Sequence, residues 1–210
     1  MKNYIVEFIG TFFLVFVIAL TGNPIAIGSI LMIMVYMGGH ISGAHYNPAV
    51  TLAVWMRKKI ELKAALMYML VQILAAATAA LCFHLIWGWE IKFAPSPNAS
   101  INILKPLFIE MVFTFALALV VLTVATSKKT AGNSYYGLAI GFTVLAAAFA
   151  GGPISGGAFN PAVGIGPILI DTLSGGNSIN HLWLYIVGPF VGSIAAAIAF
   201  KMINADEAEG

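Results

Sequence analysis

Two Asn-Pro-Ala triplets, Asn47-Pro48-Ala49 and Asn160-Pro161-Ala162, are the residues of this chain best suited to recognise a solute. Asn is a favoured N-cap and Pro a favoured first helical residue, so each triplet predicts the start of a helix. An Asn side-chain oxygen that caps its own helix leaves an amide NH2 with two donors to offer. Those donors, set at the positive end of a helix dipole, form a barrier to protons and cations while a neutral hydroxylic solute still accepts hydrogen bonds. Glu7 and Glu110 interrupt apolar runs, as proton-coupling carboxylates or as braces for buried backbone N–H groups. Bracing is the reading we favour, because they sit at equivalent places and no intramembrane Lys, Arg or Asp is available to pair with them. His40 and His45, beside the first triplet, are candidate gate residues through titration. There is no Ser/His/Asp set and no paired metal-ligand motif at a suitable place. We therefore expect a non-enzyme without catalytic residues, metal or cofactor.

The elements that position these residues must sit in lipid. Of 210 residues, 60% are hydrophobic and 9% charged, with a mean hydropathy of +0.95, a balance that excludes an ordinary soluble domain. The lone Cys82 excludes an internal disulfide. A net charge of +2 with no basic run beyond Arg57-Lys58-Lys59 excludes nucleic-acid binding. Apolar runs predict spans near Tyr4–Leu20, Ile25–Met37, Ala64–Trp87, Leu107–Thr126, Tyr135–Ala150 and Leu182–Phe200. Residues 1–20 carry Glu7 and lack a small-residue cleavage site, so they read as a retained span rather than a signal peptide. With six spans, most Lys and Arg fall on the face of the termini and only Lys92 and Lys105 opposite, which predicts cytoplasmic termini. The acidic tail, 205–210, reads as disordered and dispensable.

Two further apolar runs, Pro48–Met56 and Pro161–Ile170, are too short to cross. The Gly-rich stretches before them must therefore line a cavity, since unpaired backbone at membrane depth survives only there or packed in protein. Their carbonyls, over His40–Ala44 and Pro153–Gly157, are expected to form ladders of acceptors leading in from each side. Residues 38–50 match residues 151–163 at nine of thirteen positions, and Glu7, Thr11 and Phe12 echo Glu110, Thr114 and Phe115. Repeat one is thus 1–102 and repeat two 103–204. Each holds three spans and a half-helix; three is odd, so the second repeat is inverted relative to the first. The expected fold is an all-α membrane protein, six transmembrane helices plus two re-entrant half-helices, in one channel domain.

These residues resemble the aquaporin, or major intrinsic protein, family, whose hallmark is a pair of Asn-Pro-Ala motifs on re-entrant half-helices. Glu7-x-x-Gly10-Thr11, Gly39-His40-Ile41-Ser42-Gly43, Tyr68-x-x-x-Gln72 and Gly188-Pro189 support the similarity, which covers essentially the whole chain. The resemblance implies an hourglass fold, a homotetramer of independent pores in the plasma membrane, and passage of water and small neutral solutes such as glycerol, urea or ammonia. It also implies an outer selectivity filter at Ile27, Ala148, Gly157 and Val163. Most members have Arg at the position of Val163, and water-selective ones usually have His at that of Ala148, so the filter here is expected to be wider and less polar. The wording of both loops looks closest to nodulin-type members, and Val at the filter also occurs in tonoplast-type ones.

The function expected is therefore a passive channel that excludes ions. The rival is a secondary transporter coupled through Glu7 or Glu110, since inverted repeats and broken helices also build transporters.

Overall fold

A computed structural model describes residues 1–207 of the chain. Six helices are long and apolar enough to cross a membrane: α1 (Lys2–Thr21), α2 (Pro24–Ser42), α4 (Leu62–Trp87), α5 (Leu104–Val121), α6 (Tyr136–Ser155) and α8 (Leu182–Ile203). A single π-helical turn, Leu122–Thr126, extends α5. Two short helices, α3 (Pro48–Met56) and α7 (Pro161–Leu173), complete an all-helical bundle. Both begin inside the bundle and run out to opposite faces, α3 to the face of the termini and α7 to the other. The protein is thus a multi-pass membrane protein with an inverted repeat.

Glycine lets the halves approach where they cross. Gly28 on α2 and Gly141 on α6 occupy equivalent repeat positions and face each other. A Cβ on Gly28 would lie 2.7 Å from the Gly141 carbonyl oxygen, and one on Gly141 2.5 Å from that of Gly28. Close packing of this kind suits helices in lipid, where water expulsion supplies no drive between them. Trp87, Trp89 and Trp183 are exposed toward one end of the bundle and Trp55 toward the other, where their amphipathic rings suit membrane interfaces.

Three expectations need correction. The second and fifth spans do not stop at Met37 and Ala150; helix continues through the glycines to Ser42 and Ser155, and through Pro153. Helix satisfies backbone that extended chain would leave unpaired in a membrane, and it ends only where Gly43 (φ 88°) and Gly156 (φ 90°) turn left-handed. The second half-helix runs past Ile170 to Leu173. The tail is not free: Ala205–Glu207 form a turn with Glu207 buried, whereas 208–210, included in the expectation of disorder, lie outside the described residues.

Candidate functional site

Each Asn-Pro-Ala triplet starts a helix by the chemistry its residues dictate. Asn47 Oδ1 accepts from the N–H groups of Ala49 (2.8 Å) and Val50 (3.4 Å), and Asn160 Oδ1 from that of Ala162 (2.9 Å). Pro48 and Pro161 occupy the first helical position. The free amides differ from expectation. Asn47 Nδ2 donates to the Phe159 carbonyl and Asn160 Nδ2 to the Tyr46 carbonyl, both at 2.9 Å. One donor of each pair therefore locks the two repeats together, and one remains on each side for the lumen.

The backbone leading into each triplet is the same in both halves. Ala44 (φ 51°) and Tyr46 (φ 50°) match Gly157 (φ 68°) and Phe159 (φ 48°), all left-handed. Such residues persist only where surroundings over-determine them. The buried carboxyl groups supply that. Glu7 Oε1 accepts from Ser42 Oγ (2.7 Å) and His45 N (2.9 Å), and Oε2 from Tyr46 N (2.7 Å) and Gln72 Nε2 (2.8 Å). Glu110 Oε1 accepts from Ser155 Oγ (2.7 Å) and Ala158 N (3.0 Å), and Oε2 from Phe159 N (2.6 Å). Both side chains are fully buried.

The acceptor ladder of the second half is shorter than the sequence suggested, and that of the first is interrupted at Ser42. Residues 40–42 and 153–155 are helical, the Ser42 carbonyl accepts from Tyr68 Oη (2.9 Å), and that of Ser155 accepts from Tyr185 Oη (2.6 Å). Asn98, in the loop after α4, caps the carbonyls of Pro153 and Ile154 through Nδ2 (3.3 Å) and N (3.0 Å). In the second half this leaves the carbonyls of Gly156–Ala158 without a partner among the described residues; in the first half those of His40, Ile41 and Gly43–His45 remain, because Ala44 N turns to Ser42 Oγ and His45 N to Glu7. Tyr185, Thr51 and Asn98 escape a sequence reading because their reach depends on how distant helices pack. Each lies in a run with no motif of its own.

A cavity of about 30 Å³ joins the two triplets, room for roughly one or two waters. Ile27, His45, Asn47, Gly157, Asn160 and Val163 all line it. Ala148 does not; Val144, one turn earlier on α6, takes that side, and Ala148 lies half-buried beyond. His45 Nδ1 meets Thr51 Oγ1 at 3.1 Å, while His40 lines a separate cavity of about 460 Å³ beside the α5–α6 loop. The site thus offers two capped helix N-termini, two free amide donors, His45 and an otherwise largely apolar wall, an arrangement for passing a neutral solute.

Comparison with known proteins agrees on the class. The sequence profile described as major intrinsic protein matches residues 1–200, and the chain belongs to that family. It is 36% identical over 217 residues to aquaporin NIP1-4 of Oryza sativa subsp. japonica, covering 97% of this chain and 77% of that protein. With aquaporin NIP1-1 of Zea mays it is 35% identical, covering 97% and 75%. Its fold superimposes on the crystallographic aquaglyceroporin of Plasmodium falciparum with a TM-score of 0.86, at 24% identity and 98% coverage of both chains.

Proposed function

We propose that this protein is a passive channel for water and small uncharged solutes that turns ions away at its midplane. The observation that carries the reading is the crossed pair Asn47–Phe159 and Asn160–Tyr46, which fixes two helix N-termini head to head in one cavity. Two positive dipole ends and two free N–H donors disfavour a cation there, and the N–H groups can donate to a neutral oxygen. The similarity to aquaporins and an aquaglyceroporin supports water and polyol-sized solutes as cargo. A transporter coupled through Glu7 or Glu110 is disfavoured, since each carboxyl already accepts three or more hydrogen bonds inside its own repeat.

Pro48, Ala49, Pro161 and Ala162 set the direction of the midplane helices, and Ile27, Ala148, Gly157 and Val163 form an outer aliphatic ring open to solutes larger than water. Glu7 and Glu110 brace the loops. His45, which lines the midplane cavity, is a better placed gate than His40, which does not. Family membership supports a homotetramer in the plasma membrane, and the distribution of Lys and Arg supports cytoplasmic termini. Stopped-flow light scattering on proteoliposomes, comparing water with glycerol, urea and ammonia at several temperatures, tests the reading. Fast flux with low activation energy is expected; saturable flux that follows a proton or sodium gradient would overturn it.

A further inference from the structure

The internal repeat carries every lining residue of the midplane cavity onto another lining residue. Leu14 maps onto Leu117, Ile27 onto Ile140, Ala44 onto Gly157 and Val50 onto Val163. The lumen therefore has two ends built to one plan. The ring Ile27, Ala148, Gly157 and Val163 must then have a counterpart on the side of the termini, and the mapping gives Ile140, Val35, Ala44 and Val50.

The two rings differ in side-chain bulk at two of their four positions. Ile and Val recur at two positions, but Val35 stands where the outer ring has Ala148, and Ala44 where it has Gly157. All four inner residues are within a few percent of full burial: Val35 2%, Ala44 5%, Val50 2% and Ile140 5%. They belong to one continuous apolar cluster. Ala148 and Gly157 are only half-buried. The next turn differs in the same sense, because a Cβ on Gly152 would meet nothing within 4 Å, whereas one on its counterpart Gly39 would lie 3.2 Å from the Tyr136 ring. Finally, the repeat places His45 opposite Ala158. The His45 ring lines both the midplane cavity and a vestibule of about 680 Å³ that opens between Tyr4, Tyr68 and Ser42. His45 and Val121 are the residues common to the two linings, and His45 is the polar one.

We propose that the size-limiting constriction of this channel is the inner ring of Val35, Ala44, Val50 and Ile140, closed by His45, and not the outer ring. This rests on the channel reading above. An aliphatic ring of small diameter selects by size and by the cost of stripping water from a solute that gains no hydrogen bonds in return. The inner ring then sets which neutral solutes pass, and its one polar side chain, His45, supplies the hydrogen bond that replaces lost water.

The test compares substitutions in the two rings by the ratio of glycerol or urea permeability to water permeability in proteoliposomes. Ala44→Gly is the cleanest widening change, because a left-handed backbone suits Gly better than Ala and folding is not put at risk. Val35→Ala widens the same ring from another helix, and Ala148→Val gives the outer ring the bulk of the inner one. Ala44→Gly and Val35→Ala are expected to raise the ratio several-fold, a larger change than the fall that Ala148→Val causes in the outer ring. A several-fold fall for Ala148→Val with no change in the inner variants would place the constriction outside and overturn the proposal. Flux of water and solute through the unsubstituted protein that no inner change alters would overturn the proposal alone. Absence of all flux above empty liposomes would remove the channel reading, and this proposal with it.

Discussion

The two halves of the molecule reach the same midplane geometry with different supporting side chains. In the first half Glu7 gathers four donors, one of them Gln72, and Gln72 and His45 both meet Thr51 Oγ1 at 3.1 Å. In the second half Glu110 gathers three, and the residue equivalent to Thr51 is Gly164, where an added Cβ would lie 2.5 Å from Tyr185 Cβ. The loop backbone, by contrast, matches residue for residue in its left-handed turns. What the membrane demands is that buried N–H groups find acceptors and that the helices start at the right depth. A carboxyl group and a left-handed loop meet that demand; the packing around them is free to differ. Both halves use a carboxyl group and a tyrosine on a Ser carbonyl; the first adds Gln72 and Thr51 to its network, and the second packs Tyr185 against Gly164 in their place.

The sharpest way to break the parallel is to remove the carboxyl groups. Glu7→Ala takes the acceptor from four donors; Glu110→Ala leaves two unpaired, since Ser155 Oγ keeps the Gly151 carbonyl (3.3 Å), and each unpaired buried donor costs about 1–3 kcal/mol. Both variants should lose most folded protein, Glu7→Ala the more. Thermal unfolding of the purified protein in detergent checks this, and a smaller loss for Glu7→Ala would mean the Gln72–Thr51 network is not additive with the loop contacts.

The midplane pair should behave alike despite the differing supports. Asn47→Asp and Asn160→Asp each put an anionic group where a donor now faces the lumen, and each should admit cations, the double change most. Conductance of planar bilayers or ion-loaded liposomes is the measurement. A cation-tight double variant would count against a barrier made by these helix ends.

A smaller effect separates the networks themselves. Thr51→Ala removes the partner of His45 Nδ1 and one of the two acceptors of Gln72 Nε2, and should cost about 1–3 kcal/mol if both stay buried. Gly164→Ala, its counterpart, drives a methyl into Tyr185, with an overpacking cost of about 1–3 kcal/mol. The first should also alter solute flux through His45, and the second should not; permeability measured beside stability distinguishes them.

Much of this was legible in the sequence because the membrane restricts the choices. Spans, inversion and both half-helix starts follow from run length and from Asn-Pro at equivalent places. What was not legible is contact between segments distant in the chain. A second carbonyl partner for each Asn amide requires the two loops to touch, which only the inverted packing of α3 against α7 arranges. Helix through Gly38-Gly39 and Pro153 overrides local propensity because unpaired backbone in lipid costs more than an unfavourable residue in a helix. The tail was misread for a similar reason: its polar composition says nothing of the Arg57 side chain waiting at the end of α3.

That tail gives the last and mildest test of the comparison, since the partners it joins come from both halves. Glu207 accepts from Ser127 Oγ (2.6 Å), pairs with Arg57 Nη2 (2.7 Å), and its own carbonyl accepts from Arg57 Nη1 (3.1 Å). The Ser127 hydroxyl first, then the backbone N–H groups of the α5–α6 loop and Arg57, hold the Glu207 carboxyl below the usual carboxylate range, against a burial effect of the opposite sign. A depressed carboxyl stabilises the folded state fully above its unfolded value and loses that contribution only as pH falls through the lower folded value. The clasp should therefore be indifferent to pH between about 8 and 5, well above the reference value for Glu, and loosen only in stronger acid. Hydrogen exchange at the amides of Ser127–Lys129, corrected for intrinsic rates, should stay flat over that window and quicken in Glu207→Gln at every pH. Loosening of the unsubstituted protein between pH 7 and pH 5, above the range of a depressed carboxyl, would mean that a group other than Glu207 governs the joint.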